Sequence, residues 1–220
     1  MLSQLDHIIF PDRCEVYEVI PSQRYVYGIY KNGSSSLLSC SIERKWKIFF
    51  NEQIKRLDSV DIILREPEAR LISGINIHLQ QLIQQDPTID RSTALWFIKN
   101  YLFLNRHYCP QFLWLINLSR YLRPGAKLNF FDISELNSIV DRDLKPLGYN
   151  EVSQDFVNEV GEIPNVEMYH RLDKGMISQC LGKSLTFKQV IQYIQDVDPA
   201  AYKFVVGKAL KILEPLNALS

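Results

Sequence analysis

The chain has no CxxC pair, no apolar run long enough to cross a bilayer, no internal repeat and no low-complexity tract. Each absence removes a class of protein. The four cysteines, Cys14, Cys40, Cys109 and Cys180, are too scattered for a zinc ribbon. They are expected as free thiols in a reducing compartment, with no structural metal. The opening stretch, MLSQLDHIIFPDRCEV, lacks the basic start and long apolar core of a signal peptide. A cytoplasmic chain with no membrane span is the expectation. Excess charge is missing too: 25 Lys and Arg balance 25 Asp and Glu. A binder of polymeric nucleic acid would carry a basic surplus, although a local basic pocket for one nucleotide stays open. The triphosphatase loop GxxxxGK[ST] is also absent. Gly182-Lys183-Ser184 supplies its end, but the earlier glycine would have to stand at Ile177, and Gly175 is two residues too far away.

What is present is a core. Of 220 residues, 46% are hydrophobic and 23% charged, which suits one sizeable globular domain. Residues 1–24, with Pro11 and Pro21, read as an irregular lead-in, and 148–220 as a helical C-terminal part. Tyr25–Tyr30 is the first strand, and Val60–Leu64 a second, unalternated one of the kind covered on both faces. Lys127–Phe131 is a third, and 166–169 a possible short one. Helices are expected from the loop after Tyr30 to about Leu57, from Pro67 to about Gln85, over 90–104, from Asp132 to about Leu147, from Thr186 to about Gln195, and from Asp198 through Leu213. Asp132 with Glu135, and Thr186 with Gln189, have capping-box spacing. Residues 105–111 read as a loop, and 112–122 as helical or extended. Strands alternating with helices predict an α/β fold with a mostly parallel central sheet flanked by helices.

The centre of this pattern is YVYGIYKNGSSSL, residues 25–37. An apolar strand runs into lysine, glycine and three serines, and then into a helix-like segment. Asn32-Gly33 is also a good type I′ hairpin signal, but Ser34-Ser35-Ser36 makes a poor returning strand. Ile42, Trp46, Phe49, Phe50 and Ile54 fall near helical spacing beyond it. Strand, Gly/Ser loop and helix N-terminus together present backbone N–H groups to a phosphate. Lys31 adds a mobile cation to that cradle.

The order K-x-G-[ST]-[ST]-[ST] after a strand resembles the phosphosulfate-binding loop of sulfotransferases, which use 3′-phosphoadenosine-5′-phosphosulfate (PAPS). A second match is Arg65-Glu66-Pro67-Glu68-Ala69-Arg70-Leu71-Ile72-Ser73, which fits that family's R-[DE]-P-x-x-R-x-x-S at the end of the second strand. A third, His107-Tyr108-Cys109-Pro110-Gln111, resembles the H-[WY]-x-P-Q segment of membrane-bound carbohydrate sulfotransferases. Cys180-Leu181-Gly182-Lys183-Ser184 is similar to a cofactor-contacting loop of heparan-type enzymes, but Leu185-Thr186-Phe187 replace the basic residues that should follow. Tyr30 stands where the family usually has proline. The resemblance covers roughly residues 25–148.

It implies a P-loop-like sulfotransferase fold, with PAPS as donor and adenosine 3′,5′-bisphosphate as product. The acceptor would be a hydroxyl or amine of a glycan or small molecule. It also implies that Lys31, Asn32, Gly33, Ser34, Ser35 and Ser36 hold the 5′ end, and that Arg65 and Ser73 bind the 3′-phosphate. Lys31 would offset charge on the leaving group, and His107 would serve as base, with Glu43, Asp132 and His78 as rivals. The aromatics Trp96, Tyr101, Tyr108 and Trp114 are candidates for a sugar cleft, or equally for core. Two other readings stay open: a catalytically inactive nucleotide-binding module of the same fold, and a parallel-sheet binding module in which the motif matches are chance.

Overall fold

The computed structural model describes residues 14–20, 22–101, 105–143, 158–160, 162–163 and 165–207, apart from the side chains at 94, 97, 98, 100 and 101. The Tyr101 ring, the helix end expected near Leu147 and the expected stretch to Leu213 lie outside it.

Six strands form one sheet. In chain order they are β1 (Glu15–Val19), β2 (Arg24–Tyr27), β3 (Ile48–Phe50), β4 (Ser59–Leu64), β5 (Lys127–Asp132) and β6 (Ser184–Thr186), and in space β3-β1-β2-β4-β5-β6. The centre is parallel, with Val26 opposite Asp61 and the whole of β4 in register with β5. β4 is covered on both faces: Val60 through Leu64 are buried, including Asp61, which is paired with Arg24. The flanking pairings β1–β2, β1–β3 and β5–β6 are antiparallel. The sheet is therefore mixed rather than mostly parallel.

That correction begins in the lead-in. Residues 15–19 are a strand, with Val16, Tyr17 and Val19 buried and Val16 paired with Tyr27. The prolines that suggested irregular chain lie outside it. The helix after the loop, α1 (Ser34–Arg44), also stops short of Leu57. Lys45 closes it in a left-handed conformation at φ 56°. Trp46 then turns into the core, and Ile48–Phe50 adds β3 beside β1. The apolar residues at 46–50 serve a three-residue strand, too short to be told from a helical stripe by periodicity.

The remaining helices are α2 (Pro67–Gln85), α3 (Arg91–Tyr101), α4 (Gln111–Ser119), α5 (Leu136–Val140), α6 (Val166–Cys180) and α7 (Phe187–Val197), with a last helical stretch over 199–207. Residues 166–169 open α6 and are not a strand. The capping boxes at Asp132/Glu135 and Thr186/Gln189 are both formed. A smaller apolar cluster packs one sheet face, joining Tyr17, Val26 and Ile63 to Leu37 of α1 and Leu136, Ile139 and Val140 of α5. A larger one packs the other face, where α2, α4, α6 and α7 contribute. This gives three layers, helix on sheet on helix. All four cysteines are free and buried. Among the described residues, no helix is long and apolar enough to cross a membrane.

Candidate functional site

The two conspicuous motifs meet at the carboxyl ends of β2 and β4, the edge at which open α/β sheets take ligands. After β2 the chain tightens into a turn, closed by the Asn32 N–H donating to the Ile29 carbonyl at 3.1 Å. Lys31 sits at φ 68° and Gly33 at φ 87°. A left-handed lysine costs of order 1–2 kcal/mol and persists only where its surroundings impose it. Gly33 cannot be replaced without strain, since φ 87° is a conformation that L side chains rarely adopt, and a Cβ there would also push Leu136 Cδ2 aside. α1 then begins with Gly33 as N-cap, no side-chain cap and no acidic residue in its first turn. The first intrahelical bond runs from the Leu37 N–H to the Gly33 carbonyl. The N–H groups of Ser34, Ser35 and Ser36 precede it and are left at the positive end of the helix dipole.

Arg65 leaves the end of β4 and donates from Nη1 to the Lys31 carbonyl at 3.0 Å. Arg70, on the first turns of α2, is 2% exposed. Its Nε donates to the Tyr30 carbonyl at 3.1 Å and its Nη1 to the Cys109 carbonyl at 2.5 Å. Three cations thus surround one loop. The consequence shows at Lys31, whose ammonium is lowered to about 8, first by burial and then by Arg70 and Arg65. Burial likewise lowers Arg70, and the Asp173 carboxylate offsets part of that. A partly buried cluster of like charge beside orphan helix N–H groups is built to receive an anion.

Not every residue singled out in the sequence faces this cradle. The Asn32 side chain points inward, 1% exposed. Its Nδ2 donates to the Ile63 carbonyl at 2.8 Å and to Gln111 Oε1 at 2.6 Å, so it braces the loop against β4. Ser73 is nearly buried, and its Oγ has no hydrogen-bond partner among the described residues. Lys183 lies away from the cradle, over the Tyr193 ring, on a turn bonded to Phe130 of β5.

His107 is 7% exposed. Its ring packs between Tyr30, with centroids 5.6 Å apart, and His78, at 6.3 Å and nearly parallel. Its carbonyl lies against α2 at Gly74. His78 in turn meets the Tyr108 hydroxyl at 3.1 Å and the Asn105 amide at 3.3 Å, both through Nδ1. Two donors converging there make Nδ1 the acceptor and leave the proton on Nε2. These histidines belong to a buried packing cluster. His107→Ala is accordingly expected to lower stability by about 2–4 kcal/mol through lost packing, read from thermal unfolding. A rate loss without that destabilisation would restore it as a base.

The rivals are also engaged elsewhere. Glu43 is paired with Arg142 on the surface, and Asp132 caps the turn that leads into α5. Trp114 and Tyr108 are core, whereas Trp96 is exposed. A separate cleft of about 500 Å3 opens between α2 and α6, lined by Glu68, Ile72, Val166, His170 and Lys174.

Two residues that organise the site were not singled out in the sequence as functional groups. Gln111 is fully buried. Its Oε1 accepts from the Arg65 N–H at 3.0 Å, and its Nε2 donates to the Arg65 carbonyl at 2.7 Å. Asp173 accepts from the N–H groups of Gln111 and Phe112. Gln111 ends the segment HYCPQ, where a motif could have flagged it. Asp173 is one acidic residue within a helical face. No family model, no curated protein and no solved structure matches this chain.

Proposed function

We propose that the cradle binds a nucleotide phosphorylated at both the 3′ and 5′ positions, and that the protein is a sulfotransferase using PAPS. The observation that carries this reading is the convergence of Lys31, Arg65 and Arg70 on the loop that opens α1. Helix N–H groups of Ser34–Ser36 and the Lys31 ammonium suit a 5′-phosphosulfate. Arg65, half-buried at the end of β4, and the unpartnered hydroxyl of Ser73 suit a second phosphate, once the Arg65 side chain turns from the Lys31 carbonyl. In the transfer, the acceptor oxygen bonds to sulfur as its O–H bond breaks and the proton leaves, finally to solvent; the S–O bond to the 5′-phosphate breaks, and negative charge grows on the bridging oxygen. Lys31 is placed to offset that charge. The acceptor is proposed to be a glycan or another hydroxyl- or amine-bearing molecule. A second reading, a nucleotide-binding module without transfer, is favoured by the burial of His107.

Calorimetry tests the donor site. Adenosine 3′,5′-bisphosphate should bind much more tightly than 5′-AMP. Arg65→Ala should erase most of the difference, because one charge-assisted hydrogen bond contributes about 1.5–3 kcal/mol, at least roughly tenfold in Kd. Equal affinity for the two nucleotides would remove the assignment. Screening transfer of radiolabelled sulfate onto glycans, lipids and simple alcohols separates the two readings and identifies the acceptor class.

Binding should also depend on pH. Before a ligand binds, burial and the neighbouring arginines lower the Lys31 ammonium to about 8, and a phosphate beside it raises that value by favouring the charged form. Binding therefore takes up protons above pH 8. The Lys31 contribution to affinity is full below about 8 and weakens as pH rises through it. Calorimetry at pH 9 in buffers of different ionisation enthalpy reads the uptake directly. Proton release, or affinity flat from pH 7 to 9.5, would remove Lys31 from the contact.

A further inference from the structure

The anion cradle is made of two segments that come from different strands, and one side chain joins them. Gln111 bonds both peptide groups of Arg65 at the end of β4 and, through the same Oε1, the Asn32 amide in the loop after β2. Gln111 is itself the first residue of α4, whose N-cap is Pro110, a residue without a side-chain cap. The cap comes from far along the chain. Asp173 of α6, 3% exposed, accepts from the Gln111 N–H through Oδ2 at 2.8 Å and from the Phe112 N–H through Oδ1 at 3.1 Å.

We propose that Asp173 is a positioning residue of the anion cradle, acting through Gln111 to hold Arg65 and the Lys31–Gly33 loop in register. The inference rests on the nucleotide reading above for its functional meaning. Its physical basis is separate. A carboxylate that accepts two successive N–H groups fixes both the place and the rotation of a helix's first turn. Gln111 leaves that turn, so its amide can lie flat against the Arg65 peptide only while the turn is held. Without the clamp, the N–H and carbonyl of Arg65 lose a shared partner, and the Asn32 amide keeps only the Ile63 carbonyl. The groups facing Asp173 are Arg70 from α2, Tyr108 and Cys109 from the loop before α4, and Tyr169 and His170 from its own helix. Burial pushes the Asp173 carboxyl up to about 6, against the pull of the two N–H groups and Arg70. Protonation puts a hydrogen on one of the two accepting oxygens, so the clamp slackens as pH falls through about 6.

The test uses the full chain, isotopically labelled and free of ligand, with amide hydrogen exchange read at Arg65. Asp173→Asn keeps the shape but offers one acceptor oxygen where two are needed. Exchange of the Arg65 amide should accelerate by about tenfold, and Gln111→Ala should do the same. In calorimetry, either variant should weaken adenosine 3′,5′-bisphosphate by about tenfold. The double variant should be little worse than either single one, because both break the same chain of contacts. A folded Asp173→Asn protein with unchanged Arg65 exchange, or an additive double variant, overturns the proposal. Where Asp173→Asn does not fold, the unaltered protein decides. Its Gln111, Phe112 and Arg65 amide resonances should shift together with a midpoint near pH 6, and His170→Gln should leave that midpoint in place. Movement of Gln111 and Phe112 without Arg65 overturns the coupling. If exchange responds as expected but neither adenosine 3′,5′-bisphosphate nor pyrophosphate binds, the nucleotide reading falls while the positioning of Arg65 by Asp173 stands.

Discussion

If the protein is the PAPS-dependent sulfotransferase proposed above, Lys31→Ala is expected to lower sulfuryl transfer by about 10²–10³ while changing the Kd of adenosine 3′,5′-bisphosphate only a few-fold. The asymmetry follows from when the charge is needed. On the proposed reading, the first-turn N–H groups of α1 and the neighbouring cations hold the product's phosphate without Lys31. The bridging oxygen becomes strongly negative only as the S–O bond breaks, and losing one donor aimed at such an oxygen typically costs that factor in turnover. Lys31→Gly sharpens the test. Glycine adopts φ 68° without the left-handed penalty, so this variant should lose the same activity yet gain about 1 kcal/mol of stability. A residue kept in strain because the site needs it gives that opposed pair of results. Turnover is measured on whichever acceptor the sulfate screen identifies. Near-normal turnover in both variants would take Lys31 out of the chemistry.

Gly74→Ala lowers stability by about 1–3 kcal/mol, although alanine in an open helix would raise it by about 1. Gly74 lies on the face of α2 that meets the loop before α4. A Cβ there would come within 2.3 Å of the His107 carbonyl oxygen and 2.8 Å of its carbon. Both are backbone atoms, and the loop cannot retreat freely. Arg70 holds the Cys109 carbonyl, and His78 holds Tyr108. Thermal unfolding reads the change as a fall of several degrees. Because this loop leads into Gln111, the variant should also weaken nucleotide binding. An alanine variant as stable as the parent would show that helix and loop are less closely packed than this geometry requires.

The legible part of this protein was local. Lys31-Asn32-Gly33 followed by three serines specified a turn and a helix start without reference to anything distant, because glycine's tolerance of positive φ and the orphan N–H groups of a helix N-terminus are properties of a few consecutive residues. The unalternated run of β4, the proline at the start of α2 and both capping boxes were readable for the same reason. The parallel pairing of β2 with β4 followed from the helix between them. β1 was missed because Glu15 and Glu18 break its apolar run and its partners, β2 and β3, lie elsewhere in the chain. His107 was chosen for its chemistry, and burial by Tyr30 and His78 is not written into the five residues around it.

By itself the sequence determined the strand, turn and helix start around residues 25–37, the parallel adjacency of β2 and β4, and the residue types that could face an anion. Only the tertiary structure decided which of those residues meet. Arg65 and Arg70 join Lys31 because β4 lies beside β2 in parallel, which brings both strand ends to one edge. The Asn32 side chain is drawn inward because Gln111 waits beneath it, and Gln111 is there because Asp173, on a distant helix, holds the first turn of α4. The physical reason is one of range. Backbone propensity acts over a turn or two of chain, whereas the field around Lys31 and the clamp on Gln111 are sums over groups that only packing brings within a few ångströms.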